Sequence, residues 1–129
     1  MPQLIKGGKW VFGWAVVGEG GRIDIPPDAW DEYGYCVGDE VVFIRGSRTS
    51  GGFAAGRADR LADSPLSASS RVLARGSIQQ DKRIDLPPEV GVQPGDRLLV
   101  VRGSGLALGF LGKGPIVEEA LHHPELEVF

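Results

Sequence analysis

With 129 residues, 42% of them apolar and 24% charged, the chain has the size and composition of one folded domain, which excludes wholesale disorder. Its single cysteine, Cys36, excludes an internal disulfide and fits a reducing compartment, so a cytoplasmic location is expected. The net charge of −3 is unevenly spread, with seven basic and four acidic groups in residues 71–116 and four acidic groups in residues 117–129; a polyanion would meet the second half, although solvated faces produce the same distribution.

The first apolar run, Trp10 to Gly18, is too short to span a membrane, and no small-residue cleavage site follows it. Its aromatic and β-branched residues predict a strand covered on both faces. Glu19-Gly20-Gly21 then supplies a turn, and Arg22 to Ile25 alternates polar and apolar residues as a half-buried strand does. Pro26-Pro27 ends that strand, since neither proline can donate to a sheet ladder, and Pro27 is suited to the first position of a short helix holding Asp28, Trp30, Asp31, Glu32 and Tyr33. After Gly38-Asp39, the apolar run Val41 to Ile44 predicts a strand buried on both faces, and Gly52 to Ala55 the returning arm of a hairpin.

Residues 57–70 read as a small helix followed by a Ser-Pro-rich linker, Ser64-Pro65 to Ser69-Ser70. The same landmarks then recur in the same order. Arg22-Ile23-Asp24-Ile25-Pro26-Pro27 returns as Arg83-Ile84-Asp85-Leu86-Pro87-Pro88, Gly38-Asp39 as Gly95-Asp96, Arg45-Gly46-Ser47 as Arg102-Gly103-Ser104, and Gly52-Phe53 as Gly109-Phe110. The connection between proline pair and Gly-Asp shrinks from ten residues to six, leaving room for a single turn. Pro115 to His122 reads as one or two turns of amphipathic helix, and Glu125 to Phe129 as a tail. The expected organisation is therefore one compact domain over residues 1–129: a first repeat at 8–57, a linker at 58–70, a second repeat at 71–116 and an acidic tail at 117–129. A half of about 45 residues could hardly bury a core alone, so strands of one repeat should pair with strands of the other.

Catalytic and metal-binding motifs are weak. Gly18 to Gly21 and Gly103 to Gly105 open no long helix, and Gly112-Lys113-Gly114 lacks the Ser or Thr that follows the lysine of a phosphate loop. His122 and His123 are adjacent and diverge on a helix, so no metal site is expected, and no other histidine exists to serve Cys36 or a serine as base. Asp24 and Asp85 are each two residues from an arginine on their own strand face, which suggests ion pairing within the strand. A binding module without cofactor or catalysis is the expected class.

The order of strand, Gly-Arg-Ile-x-Ile-Pro, short helix, Gly-Asp, apolar strand and hairpin resembles the AbrB-like swapped-hairpin family (SpoVT, AbrB and MazE types), over Gly21 to Phe53 and again over Lys82 to Phe110. In that family two chains interleave their hairpins into one DNA-binding barrel. With both copies in one chain, the resemblance implies a mainly β, pseudo-two-fold swapped-hairpin barrel with short helices, acting as a DNA-binding transcriptional regulator. The positions implied for DNA contact are Arg22, Arg75, Lys82 and Arg83. Family members carry basic residues where this chain has Ala15, Val16, Asp31 and Glu32. That departure opens an alternative, a protein-binding module, antitoxin-like or an assembly subunit, presenting Trp30, Tyr33 and Tyr35 to a partner. The same three aromatics would equally serve as core at the barrel end.

Overall fold

The computed structural model of the chain describes residues 3–5, 8–49, 51–62, 72–103 and 107–129. The Ser-Pro-rich linker expected up to residue 70 lies outside them from residue 63 onward, as does Ser104 of the second Arg-Gly-Ser. Among the described residues eight strands form one antiparallel sheet: β1 (Val11–Val16), β2 (Arg22–Asp24), β3 (Glu40–Arg45), β4 (Phe53–Arg57), β5 (Val72–Gln79), β6 (Arg83–Asp85), β7 (Arg97–Arg102) and β8 (Leu108–Leu111). Their spatial order is β1-β7-β8-β4-β3-β5-β6-β2. The two ends of that order, β1 and β2, meet through a tight turn in which the Gly18 N–H donates to the Arg22 carbonyl at 2.8 Å, so the sheet curls into a nearly closed barrel. Three short helices accompany it: α1 (Pro27–Tyr33), α2 (Ala58–Leu61) and α3 (Pro115–Ala120).

The pairing crosses between repeats. β1 of the first repeat runs against β7 of the second, with Trp14 opposite Leu99, while β5 of the second runs against β3 of the first, with Val41 opposite Gly76. An approximate dyad follows from two symmetric pairs: Ile23 opposite Ile84 in β2–β6, and Phe53 opposite Phe110 in β4–β8. The phenyl rings of the latter are stacked at 4.7 Å between centroids, at the middle of a core that also holds Val41, Phe43, Leu98, Val100 and Leu108.

The Gly-Asp landmarks are clasps between the repeats. Gly38 and Gly95 have φ of 90° and 94°, a region that glycine enters without steric cost. This turns the Gly38 N–H to the Ile78 carbonyl of β5 at 2.9 Å and the Gly95 N–H to the Val17 carbonyl, just past β1, at 2.7 Å, each reaching the other repeat. The aspartate after each glycine holds the turn shut, Asp39 accepting from the Cys36 N–H at 2.8 Å and Asp96 from the Gln93 N–H at 2.9 Å.

The continuous apolar runs have a simple cause. One face of β3 (Val41, Phe43) and of β7 (Leu98, Val100) enters the barrel, while the other is roofed outside, Val42 and Ile44 by Leu61 of α2, Leu99 and Val101 by Val117 and Ala120 of α3. Each large apolar side chain so covered contributes about 1.5–3 kcal/mol relative to exposure. The first apolar run is covered less fully than expected, with Val16 of β1 and Trp10 just before it exposed.

Residues 125–129 are not a loose tail. The Trp14 N–H donates to the Glu127 carbonyl and the Phe129 N–H to the Trp14 carbonyl, both at 2.8 Å, so this segment lies along β1. Gly13 makes room for it, since a Cβ there would stand 2.5 Å from the Glu127 carbonyl oxygen and 2.7 Å from the Phe129 ring.

Candidate nucleic-acid interface

β2 and β6 lie side by side on the dyad because Arg-Ile-Asp occurs in both copies and the two segments pair antiparallel, Arg22 opposite Asp85 and Asp24 opposite Arg83. Ile23 and Ile84 point into the core, and the charged residues point out. Each arginine consequently faces the aspartate of the other repeat. Arg83 Nε donates to Asp24 Oδ1 at 3.0 Å, and Arg22 Nε lies 3.2 Å from Asp85 Oδ1. The expected pairing within each strand is therefore replaced by pairing across the dyad, since residues i and i+2 of one pleated strand are farther apart than directly opposed neighbours. The two pairs are unequal: the Arg22–Asp85 approach is a charge contact without hydrogen-bond alignment, and that carboxylate oxygen is shielded from solvent.

Arg22 and Arg83 line a common groove with Gln79, Gln80, Asp81 and Asp85, with a volume of about 300 Å³. Lys82, next to it, places its ammonium 5.7 Å from the centre of the Trp30 ring, a cation–π contact. The turn carrying Lys82 is itself unusual. Asp81 and Lys82 have φ of 64° and 60° where the first repeat has Gly20 and Gly21, so the second repeat holds two side chains in the left-handed region. Arg75 does not join the groove: it stands on β5, with Nη1 2.6 Å from Glu40 Oε1.

The aromatic trio is divided by burial. Tyr33 and Tyr35 are buried, with near-parallel rings 5.9 Å apart, and the Tyr35 hydroxyl donates to the Ala55 carbonyl at 2.8 Å. Burial pushes the Tyr33 phenol up to about 12, with Glu32 adding to the effect, and pushes Tyr35 up as well. Both tyrosines are core, so the partner surface expected of three aromatics is reduced to the partly exposed Trp30. Glu32, on the same helix, is bound by Arg102 through two hydrogen bonds, one of them 2.9 Å from Nε to Oε2. Asp28 and Asp31 remain exposed.

A second concavity escaped the sequence reading. Phe12, Leu126 and Phe129 form the apolar part of a groove of about 390 Å³ whose lining also includes Asp28, Glu125 and Glu127. It exists because the C-terminal segment docks beside the start of α1, and no local pattern in residues 125–129 announces that docking. Among the described residues no group of three His, Cys, Asp or Glu side chains is placed to hold a metal ion, and no helix is long and apolar enough to cross a membrane.

Neither a family model nor a curated protein matches the chain. Among solved structures it is similar to PHS018 from Pyrococcus horikoshii, determined in solution, at 17% identity and a TM-score of 0.39, over 81% of this chain and 96% of that one.

Proposed function

We propose that the chain is a non-catalytic regulator of the AbrB-like type that binds duplex DNA, its two repeats standing in for the two subunits of a swapped-hairpin dimer. The observation that supports this reading is the crossed pairing, β1 with β7 and β5 with β3, which sets β2 beside β6 and brings Arg22 and Arg83 into one groove. Two dyad-related guanidinium groups suit a ligand that is itself pseudo-two-fold, and planar forked donors suit phosphate oxygens. Both ion pairs are about half exposed, so exchanging Asp24 for a phosphate costs little, while releasing Asp85 also leaves its shielded Oδ1 without a charge partner. Lys82 adds a third cation from its cation–π perch, while Arg75 contributes only after leaving Glu40. With so few cations on a chain of charge −3, affinity should be modest and steeply weakened by salt. Fluorescence anisotropy with a labelled duplex at about 50 mM salt tests this; saturable binding lost in Arg22→Ala/Arg83→Ala is the expected result, and no binding by the intact chain overturns it.

The groove beside α1 favours a second reading. Its apolar floor and its carboxylates, Asp28, Glu125 and Glu127, suit a basic protein segment with an apolar anchor, in line with a protein-binding module. A cytoplasmic location accommodates either reading.

A further inference from the structure

Arg45 of the first Arg-Gly-Ser hairpin lines a cleft of about 610 Å³ together with Ser47, Arg48 and Lys113. No acidic side chain is among the described residues lining that cleft, a concentration of three cations on a chain whose net charge is −3.

The cleft has a built wall. The hairpin is closed by the Gly51 N–H donating to the Ser47 carbonyl at 2.9 Å and the Gly46 N–H to the Gly52 carbonyl at 3.2 Å. Gly51 and Gly52 both take left-handed φ, 61° and 63°, and a Cβ at Gly46 or Gly52 would overlap the Gly51 or Phe110 carbonyl oxygen respectively. Lys113 reaches the cleft from beyond β8, its stem lying along Gly51 with Cγ and Cε both 3.5 Å from where a Cβ would stand. A cation from the second repeat is thus laid against the hairpin of the first, across the β4–β8 pairing. The cleft shares no residue with the dyad groove.

We propose that this cleft binds the phosphate group of a small phosphorylated ligand. Two guanidinium forks and one ammonium around a dianion provide the charge-assisted hydrogen bonds that phosphate recognition uses, and the volume lies within the range of about 300–1,000 Å³ found for small-molecule sites.

The test is a titration of the ¹⁵N-labelled full chain with inorganic pyrophosphate at constant ionic strength. Saturable shifts centred on the amides of Gly46, Gly51 and Gly52 are expected. Arg48→Gln/Lys113→Gln should weaken the apparent affinity about tenfold or more, and Lys113→Arg should retain it. Shifts that grow linearly without saturating, or that are unchanged in the double variant, overturn the proposal. A nucleoside monophosphate that displaces pyrophosphate supports a small ligand, whereas displacement by a duplex overturns that assignment in favour of a nucleic-acid backbone. Because Arg22 and Arg83 are untouched, duplex binding at the dyad groove is scored separately and can fail or succeed independently.

Discussion

Converting the two dyad aspartates to their neutral isosteres, Asp24→Asn/Asp85→Asn, isolates what the cross-repeat ion pairs do. Both pairs join side chains that are about half exposed, 61% and 47% for Arg22 and Asp85, 46% and 52% for Arg83 and Asp24. Exposed pairs of this kind contribute about 0–1 kcal/mol, so the urea midpoint should barely move. Duplex binding should respond far more. A carboxylate about 6 Å from a bound phosphate repels it by on the order of 1 kcal/mol at dielectric constants between those of a protein surface and water. Removing two therefore strengthens binding by about 2 kcal/mol, roughly 30-fold. If the released arginines engage one further phosphate each, the logarithmic salt slope steepens by about 1.8. Anisotropy titrations at several salt concentrations measure both quantities. An affinity that is unchanged or weaker, with the fold intact by circular dichroism, would refute the assignment of Arg22 and Arg83 to DNA.

Three further outcomes follow from the packing. Phe110→Ala empties one half of the stacked pair on the dyad and should cost about 3–5 kcal/mol in urea unfolding, a loss below about 1 kcal/mol contradicting its central place in the core. Asp81→Gly relieves a side chain held at a φ of 64° and should stabilise the chain by about 0.5–1 kcal/mol, read from the same titration; destabilisation would mean that the carboxylate contributes more than the backbone conformation costs. His123 lies 2.6 Å from Glu125 and 3.1 Å from Glu119, and these hydrogen bonds, Glu125 first, raise its pKa. A raised folded-state pKa gives stability that is full below the unfolded value of about 6.5 and is lost as pH rises through the folded one. The melting temperature should accordingly fall across that window in the native chain more than in His123→Gln, and identical pH profiles would exclude the contact.

The barrel was legible in the sequence wherever local chemistry has one solution. Pro26-Pro27 had to end a strand, Gly38 and Gly95 had to turn, and Val41 to Ile44 could remain apolar throughout only if both faces were covered. The candidate site was less legible because it depends on register. The Arg and Asp of each repeat could be seen, but which arginine meets which aspartate is decided by pairing Ile23 with Ile84, a contact between residues 61 positions apart. Burial divided the aromatics for a similar reason: Tyr33 and Tyr35 are covered by elements of both repeats, whereas spacing along one helix says only that Trp30 and Tyr33 share a side. The docking of Glu127 and Phe129 on Trp14 left no trace in local pattern, since its hydrogen bonds are made by backbone groups that every residue carries.

Joining both halves in one polypeptide changes what variation can do to the barrel. In a dimer of identical chains every substitution appears twice, and a change useful on one side must be tolerated on the other. Here α1 can keep its two turns while its counterpart is a single turn at Pro88–Val90. Assembly is also independent of dilution, because the second half is tethered to the first by the chain itself. A symmetric scaffold built this way is free to present unlike surfaces on its two sides and to stay folded at copy numbers at which a non-covalent pair would dissociate.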